Sequence, residues 1–520
     1  MKTFKNIALI FALMAMLPLQ VLAQKPEKIK ICRDEECVVE ILKKLNSPKP
    51  TVAAEAKKEI ELVVESTRIT GDSDAQVTLR KSMMQYIEKA DNYEIDKYLI
   101  SLMPKFCTNK DAAEILQLAD NDRFADYAIR AVADIPKTGD YIEKYVIKHH
   151  DNISHKAALA YAIGKQNIKS MENDLVSWLK GADDDTKIAI YDALIVVGSS
   201  EKTAKIVEKG AKKLYKSSNV DYKVEGMKLL VAVKGEKALP TLYKALKSND
   251  DYIRTSALDL MKPYADEKVC AKAVKICSKG DAVVDVLNWL GEIKNDSQME
   301  FVISQLSSEN PKVVNGAIRA VFNIDNPDGI AAVKPMFGGQ YQKVIKDEMV
   351  KYEGDYFSVL NDVIRGNDQQ KLAALQIIEA RPILETNRRV TELLNSSNKD
   401  VRDEAYVVLK YVVMPANAEY LSFILDRCDE EYVDDVQLAL KNAMANATDS
   451  AKDKFASTLK HIKPEKMPRY YKVFAYFGTE FTINKLVEAY NSGEYKEEAK
   501  EALLLVDNDK YSELIKNTLK

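Results

Sequence analysis

One short phrase recurs along the chain and constrains its fold more than any other feature. At Ser248–Met261 it reads SNDDYIRTSALDLM, in which short polar residues precede a branched apolar residue, a base and an alanine. Related phrases follow one another at a mean spacing of about 30 residues, which is typical of an array of stacked structural repeats. The residues aligned with Arg254 are Lys187, Lys223, Asn315 and Arg402, and a weaker copy falls near Asp285.

The residues around this phrase predict a pair of helices. Ala238–Lys247 carries leucines at helical spacing, and the polar segment Ser248–Asp251 interrupts it. Short polar side chains accept hydrogen bonds from free backbone N–H groups, so this segment predicts the start of a second helix, with Ile253 and Ala257 on its apolar stripe. A single pair cannot bury its stripe, so we expect on the order of 14 to 16 pairs to stack. The predicted fold class is all-α, an α-α superhelical solenoid of stacked antiparallel helix pairs.

The phrases share an acid–x–[IV]–[RK]–x–x–A pattern, with the small residue at Ala257, Ala317 and Ala405. In this pattern and its period the chain resembles the HEAT-repeat family, in the short bacterial form with repeats of about 30 residues. The resemblance is clearest over residues 120–440, and it implies a helical array that mediates protein–protein contacts. We therefore expect a single HEAT-like solenoid over residues 24–520, with cap regions at 24–66 and 480–520.

Residues 1–23 have the composition of a secretory signal peptide. A basic start, MKTFKN, precedes the apolar segment Ile7–Leu17, and Val21-Leu22-Ala23 forms a small-residue cleavage site before Gln24. No other apolar run approaches the roughly 18 residues that a membrane-spanning helix needs. We expect an exported protein, periplasmic or extracellular after cleavage, that does not span a membrane.

The six cysteines are too few for a disulfide scaffold. Cys32 and Cys37 are the best candidates for a disulfide, because Asp34 predicts a helix start that lets the chain fold back between them. Cys270 and Cys277 are separated by about 10 Å along a predicted helix, which is too far for a bond, so we expect buried thiols. We expect Cys107 and Cys428 to have a structural role, and the sequence leaves open whether they form a disulfide with each other.

The charge pattern argues against a nucleic-acid partner. The chain has 76 basic and 79 acidic residues, a net charge of −3, and the two signs are interspersed. Binding to a phosphate backbone needs a basic face or run, and we recognise none in the sequence. We therefore predict that nucleic acid is not a partner.

The sequence offers few residues for catalysis. The nucleophile-elbow, P-loop, G-x-G-x-x-G, C-x-x-C and H-E-x-x-H motifs are all missing. His149, His150 and His155, together with Asp151, could supply nitrogen and carboxylate ligands to zinc. Adjacent histidines usually point apart, and Ser154 predicts a helix start beside them, so we favour a solvated turn over a metal site. We expect no cofactor.

Three residues are candidates for a binding surface. Arg254 and Arg402 occupy the basic position of the phrase, where pairing within the repeat is the main alternative to ligand contact. Tyr471 lies in PRYYKVFAYFGTEF, where helical spacing puts Tyr470, Phe474 and Phe477 on a core stripe. The segment as a whole is most simply core, and an outward position of Tyr471 beside Lys472 is the alternative. An exposed tyrosine gives a large contact area at low entropic cost.

The leading hypothesis for function is a non-enzymatic exported binding or scaffold protein. Its partner is expected to be a protein, with an extended polymer such as a glycan as a further possibility, because stacked helix pairs offer a long surface. The alternative is a carbohydrate-processing enzyme, or its accessory subunit, with an α/α toroid. A third possibility is that the chain acts beside a separately encoded catalytic protein.

Overall fold

The structure, a computed structural model, describes residues 30–89, 92–150, 153–459 and 462–520. The predicted signal peptide and Asp151 lie outside the described residues. Within the described ranges every regular element is an α-helix or a short 3-10 helix. The chain divides into two compact units between Pro263 and Tyr264. The single solenoid over 24–520 and its cap regions stay predictions.

Unit 1 begins with four helices that pack locally and continues as alternating helix pairs. Its helices are α1 (Glu35–Leu45), α2 (Pro50–Thr70), α3 (Ser73–Lys89), α4 (Tyr93–Leu102), α5 (Ala112–Ile115), α6 (Ala125–Asp134), α7 (Gly139–Lys148), α8 (Lys156–Lys165), α9 (Glu172–Trp178), α10 (Asp184–Val197), α11 (Glu201–Tyr215), α12 (Val220–Lys234), α13 (Leu239–Ala245) and α14 (Asp251–Met261).

Unit 2 repeats the same alternation to the end of the chain. Its helices are α15 (Glu267–Ile276), α16 (Ala282–Glu292), α17 (Met299–Gln305), α18 (Pro311–Ile324), α19 (Pro327–Val333), α20 (Gln342–Lys351), α21 (Tyr356–Val363), α22 (Asp368–Ala380), α23 (Asn387–Leu393), α24 (Lys399–Leu409), α25 (Ala418–Arg427), α26 (Val433–Ala443), α27 (Asp449–Thr458), α28 (Pro468–Phe477), α29 (Glu480–Ser492), α30 (Lys496–Leu504) and α31 (Ser512–Thr518).

The helices of each unit form two rows. From α6 onward the even-numbered helices, which we call the second row, pack each on the next even-numbered helix of the same unit. The odd-numbered helices between them form the first row, and most of them pack on a second-row neighbour. This confirms the predicted fold class of stacked antiparallel helix pairs. Stacking buries the apolar stripe that one pair alone would expose.

The recurring phrase begins second-row helices, as its polar residues predict. The Asp250 carboxylate accepts a hydrogen bond from the backbone N–H of Ile253 at 3.1 Å, and the Asp183 carboxylate accepts one from Thr186 at 2.7 Å. The alignment of Asn315 with Arg254 was wrong by one residue. Asn310 caps α18, so Val314 occupies that position.

Two glycines mark close contacts within the second row. Gly164 lies inside α8, and Gly291 lies inside α16. A Cβ atom on Gly164 would stand 3.1 Å from the Cα atom of Ala193 on α10. A Cβ atom on Gly291 would stand 3.2 Å from the Cα atom of Ala320 on α18. These helices approach closely because glycine faces alanine.

The structure joins Cys32 and Cys37 in a disulfide, with their Cα atoms 5.6 Å apart. Asp34 caps α1 between them, and its carboxylate accepts a hydrogen bond from the Cys37 N–H at 2.9 Å. The other four cysteines are buried free thiols: Cys107, Cys270, Cys277 and Cys428. In the described part of the chain, no helix combines the length and apolarity needed to cross a membrane.

Candidate binding surface

The basic residue of the phrase folds back onto its own turn. The Arg254 guanidinium donates a hydrogen bond from Nη1 to the Ser248 carbonyl at 3.0 Å, and this side chain is only 5% exposed. Arg402 makes the same contact with the Ser396 carbonyl at 2.7 Å. Arg254 therefore follows the favoured interpretation, pairing within the repeat, and not the alternative of ligand contact. Arg402 is partly exposed, but its guanidinium is also engaged by the Tyr432 hydroxyl at 3.2 Å.

A serine two residues before each helix cap adds a further local hydrogen bond. The Ser248 hydroxyl accepts a hydrogen bond from the Asp250 N–H at 3.2 Å, and the Ser396 hydroxyl accepts one from the Asn398 N–H at 3.3 Å. In another copy, Lys187 pairs instead with Asp184 at 3.1 Å. The phrase thus stabilises its own helix start. The serine hydroxyl accepts from the backbone of the cap residue, the base donates to the backbone carbonyl of the serine, and the cap side chain accepts from the first turn of the helix.

The three candidate metal ligands do not converge. Each ring nitrogen of His155 contacts a carboxylate oxygen, of Asp126 at 2.9 Å and of Asp122 at 3.1 Å. His149 instead stacks on Tyr145, with ring centroids 4.4 Å apart, and His150 is exposed. His155, rather than Ser154, occupies the cap position of α8, with φ at 55°. Within the described ranges no group of three such side chains is arranged to hold a metal ion.

The aromatic segment of α28 is core on both sides. Tyr470, Phe474 and Phe477 are buried, as their spacing predicts. Tyr471 is only 7% exposed, so it too follows the favoured core interpretation, and the alternative that it faces outward was wrong. Burial raises the pKa of the Tyr470 hydroxyl to about 12 and also raises the pKa of the Tyr471 hydroxyl. Neither residue belongs to a binding surface.

A buried arginine of the same helix closes the end of α25. Arg469 is 9% exposed, and its Nη1 donates to the Leu425 carbonyl at 2.9 Å and to the Cys428 carbonyl at 2.7 Å. Its Nη2 forms an ion pair with Glu430. The last carbonyls of a helix have no intrahelical partner, so Arg469 supplies donors that α25 itself lacks.

Exposed apolar side chains of unit 2 occur on the first-row helix α25, and others, Leu504 and Leu505, lie at the end of the second-row helix α30. Tyr420 and Phe423 on α25 are 47% and 52% exposed, and Met414 just before this helix is also exposed. The two rings stack with centroids 6.3 Å apart, and the Arg427 guanidinium lies 3.5 Å from the Phe423 centroid. We call Met414, Tyr420, Phe423 and Arg427 the α25 ledge. Two further apolar side chains of unit 2 are exposed: Phe357 in the first turn of α21, and Leu384 in the short 3-10 turn before α23.

A groove of about 540 Å³ adjoins this ledge. Its lining combines Tyr420 with side chains from α23 and the following turn, namely Asn387, Arg388, Thr391, Glu392 and Asn395. The amide of Asn417 donates to the Asn387 side-chain oxygen at 3.2 Å and so fixes the start of α25 against α23. Amides and a hydroxyl beside an aromatic ring offer both donors and acceptors next to an apolar contact.

Helical spacing could have identified the ledge from the sequence. Leu421, Ile424 and Leu425 are buried at spacing i, i+3 and i+4, so Tyr420, Phe423 and Arg427 fall on the opposite face. The expectation that the chain has no basic face was wrong. Six exposed lysines lie on α11 and just after it: Lys202, Lys205, Lys209, Lys212, Lys213 and Lys216.

No family model matches the sequence, and no curated protein matches it. Among solved structures, yeast importin-β (Kap95p) is 11% identical with a TM-score of 0.41, over 94% of this chain and 79% of that chain. Kap121p is 12% identical with a TM-score of 0.43, over 93% of this chain and 54% of that chain. UNC-45 from Drosophila melanogaster is 12% identical with a TM-score of 0.31, over 93% and 83%.

Proposed function

We propose that this chain is a non-enzymatic scaffold that binds another protein through the α25 ledge and the groove beside it. The observation that carries the proposal is the exposure of Tyr420 and Phe423, 47% and 52%, on a helix whose other apolar residues are buried. Aromatic and arginine side chains dominate the binding energy of protein interfaces, and the ledge combines both types.

The groove supports a polypeptide as the ligand. A main chain presents carbonyls and N–H groups at regular intervals, and the groove can bind both. The Asn387 and Asn395 amides can donate to carbonyls, and the Thr391 hydroxyl, which donates to the Asn387 carbonyl at 2.8 Å, can accept from an N–H group. Tyr420 and Phe423 then offer a stacked apolar surface for a side chain of the partner. Arg388 and Glu392 pair with each other at 3.1 Å at the rim, so the groove carries no strong net charge.

The test is loss of a defined partner when the ledge is removed. We expect Tyr420→Ser with Phe423→Ser to weaken binding by about a hundredfold, since two central aromatic contacts are each worth on the order of 1–2 kcal/mol. A partner is first captured by the unchanged chain from the exported fraction of its own cells. It is then purified, and its affinity for each variant is measured by calorimetry.

The matched control is Ile147→Ser with Tyr252→Ser, which removes two exposed apolar residues from unit 1. We expect the control to retain the affinity of the unchanged chain. Equal binding by the ledge variant would contradict the proposal. Binding of a purified polysaccharide that disappears in the ledge variant would favour the glycan alternative instead.

We also propose that the protein is exported. The composition of residues 1–23 supports this, as does the Cys32–Cys37 disulfide, because disulfides persist in oxidising compartments. Intact-mass measurement on protein from the native cells is expected to find Gln24 at the N-terminus. Leu13→Arg should leave the uncleaved chain in the cytoplasm, because a charge interrupts the apolar segment. Finding the unchanged chain uncleaved in the cytoplasm would contradict export.

A further inference from the structure

A stripe of lysines runs along the outer face of α11 in unit 1. Lys205, Lys209, Lys212 and Lys216 follow one another at spacing i, i+4, i+7 and i+11, and all are exposed. At 1.5 Å per residue the stripe is about 16 Å long. Lys213 adds a further exposed ammonium group beside it.

The opposite face of α11 holds the helix firmly in place. Val207, Ala211 and Leu214 are buried, and α11 packs closely on α12. Gly210 lies directly under the Tyr191 ring, where a Cβ atom would stand 2.1 Å from Cζ. The lysines are therefore presented by a rigid helix, which reduces the entropy that a ligand must remove on binding.

Acidic neighbours neutralise only part of this charge. Glu201 pairs with Lys205 at 2.8 Å, and Glu208 pairs with both Lys212 at 2.7 Å and Lys234 at 3.0 Å. No carboxylate of the described residues forms an ion pair with Lys209, Lys213 or Lys216. An open groove of about 450 Å³ lies between these side chains, lined by Lys205, Glu208, Lys209, Lys212, Lys213 and Lys216.

The next first-row helix extends the positive surface. The Tyr215 hydroxyl reaches the Thr241 carbonyl at 3.5 Å, so the end of α11 adjoins α13. Lys244 and Lys247 at the end of α13 are exposed. Because helix C-termini carry a partial negative charge, lysines at this position also stabilise the two helices.

The composition of this surface selects among anionic ligands. It contains lysine but no arginine, the residue that binds phosphate in a bidentate manner. In the described part of α11 no large apolar side chain is exposed, although a membrane surface or stacked bases would need one. Residues three or four apart on a helix have Cβ atoms about 5–6 Å apart, so the spacing of these lysines matches that of carboxylates at i, i+4 on a helix or at alternate positions of an extended chain.

We propose that the α11 lysine stripe binds an acidic, glutamate- or aspartate-rich polypeptide segment. Charge complementarity holds such a segment along the stripe, with Lys209, Lys213 and Lys216 as its main contacts. The groove between the side chains accommodates the carboxylates. This surface belongs to unit 1 and is independent of the α25 ledge, so the failure of either proposal leaves the other unaffected.

The test uses the full chain and a fluorescein-labelled glutamate-rich peptide. Fluorescence anisotropy gives its Kd at about 0.05 M and about 0.15 M salt, where screening should weaken binding. We expect Lys209→Gln, Lys213→Gln and Lys216→Gln combined to raise the Kd about tenfold at the lower salt. The control is Lys43→Gln, Lys58→Gln and Lys81→Gln, three exposed lysines of α1–α3, with an expected change within about twofold. Thermal melts of both variants are compared with that of the unchanged chain, and equal melting temperatures show that a loss of affinity is not caused by unfolding.

Four outcomes would overturn the proposal. The unchanged chain could fail to bind the peptide, or the stripe variant could bind it as tightly as the unchanged chain. The control variant could lose as much affinity as the stripe variant, which would attribute the effect to net charge. Finally, duplex DNA, a sulfated polysaccharide or phosphatidylserine vesicles could bind the stripe more tightly than the peptide at the higher salt, which would assign a different ligand.

Discussion

Replacing Arg469 with alanine is expected to lower the free energy of opening α25 by about 3 kcal/mol. The change removes the donors of the Leu425 and Cys428 carbonyls at a site where the arginine is only 9% exposed, so these carbonyls lose their partners in a largely buried position. Hydrogen exchange of peptides spanning α25 should accelerate about a hundredfold, because exchange reports the local opening equilibrium. Urea unfolding of the full chain should also begin at a lower concentration.

The matched control lies three residues further along the same helix. Lys472 pairs with Asp434 at 2.7 Å on the surface, and exposed ion pairs contribute at most about 1 kcal/mol. Lys472→Ala should therefore change the exchange of α25 by less than about fivefold. Equal effects of the two substitutions would show that Arg469 does not secure the end of α25.

Replacing Gly226 with alanine is expected to destabilise the contact between α11 and α12 by about 2 kcal/mol. In an ordinary helix this change is favourable by about 1 kcal/mol, because glycine has a low helix propensity. Here the new Cβ atom would stand 2.5 Å from the Tyr215 backbone nitrogen and 2.7 Å from the Ala211 carbonyl oxygen. Both are backbone atoms that cannot rotate away, so the two helices must separate.

The control is Gly316→Ala, a substitution at another glycine inside a second-row helix, for which we expect the stability to rise instead of fall. Gly316 lies inside α18, and the nearest atom to a new Cβ would be Leu287 Cδ1 at an ordinary 3.5 Å. This substitution should stabilise its helix by about 0.5–1 kcal/mol. Hydrogen exchange of the two regions measures both effects. Changes of the same sign at both positions would contradict the steric explanation.

The helix starts could be predicted because their chemistry is local. Asp183, Asp250 and Asn398 cap helices through hydrogen bonds that span only three residues. The direction of Arg254 could not be predicted in the same way. Its long side chain can extend into solvent or return to the Ser248 carbonyl, and the residue pattern of the phrase is the same in both cases.

Tyr471 shows a second limit of helical spacing. A helix on the surface of a small domain buries one stripe, and on that assumption Tyr471 faces water. α28 instead contacts α26 and α30 in the second row, and α27 and α29 in the first. Such a helix is enclosed on most sides. For Gly164 the local signal was equally ambiguous, because a glycine that ends a helix and one that admits a neighbour look alike in a single sequence.

The closure of the phrase upon itself has a consequence for how such a chain can change over evolutionary time. In SNDDYIR the serine, the aspartate and the arginine each form a hydrogen bond to a backbone group within seven residues. A duplicated or deleted copy therefore carries its own helix start with it. Only the apolar faces on either side must match. Recombination between copies can thus alter the number of repeats while leaving every remaining junction intact.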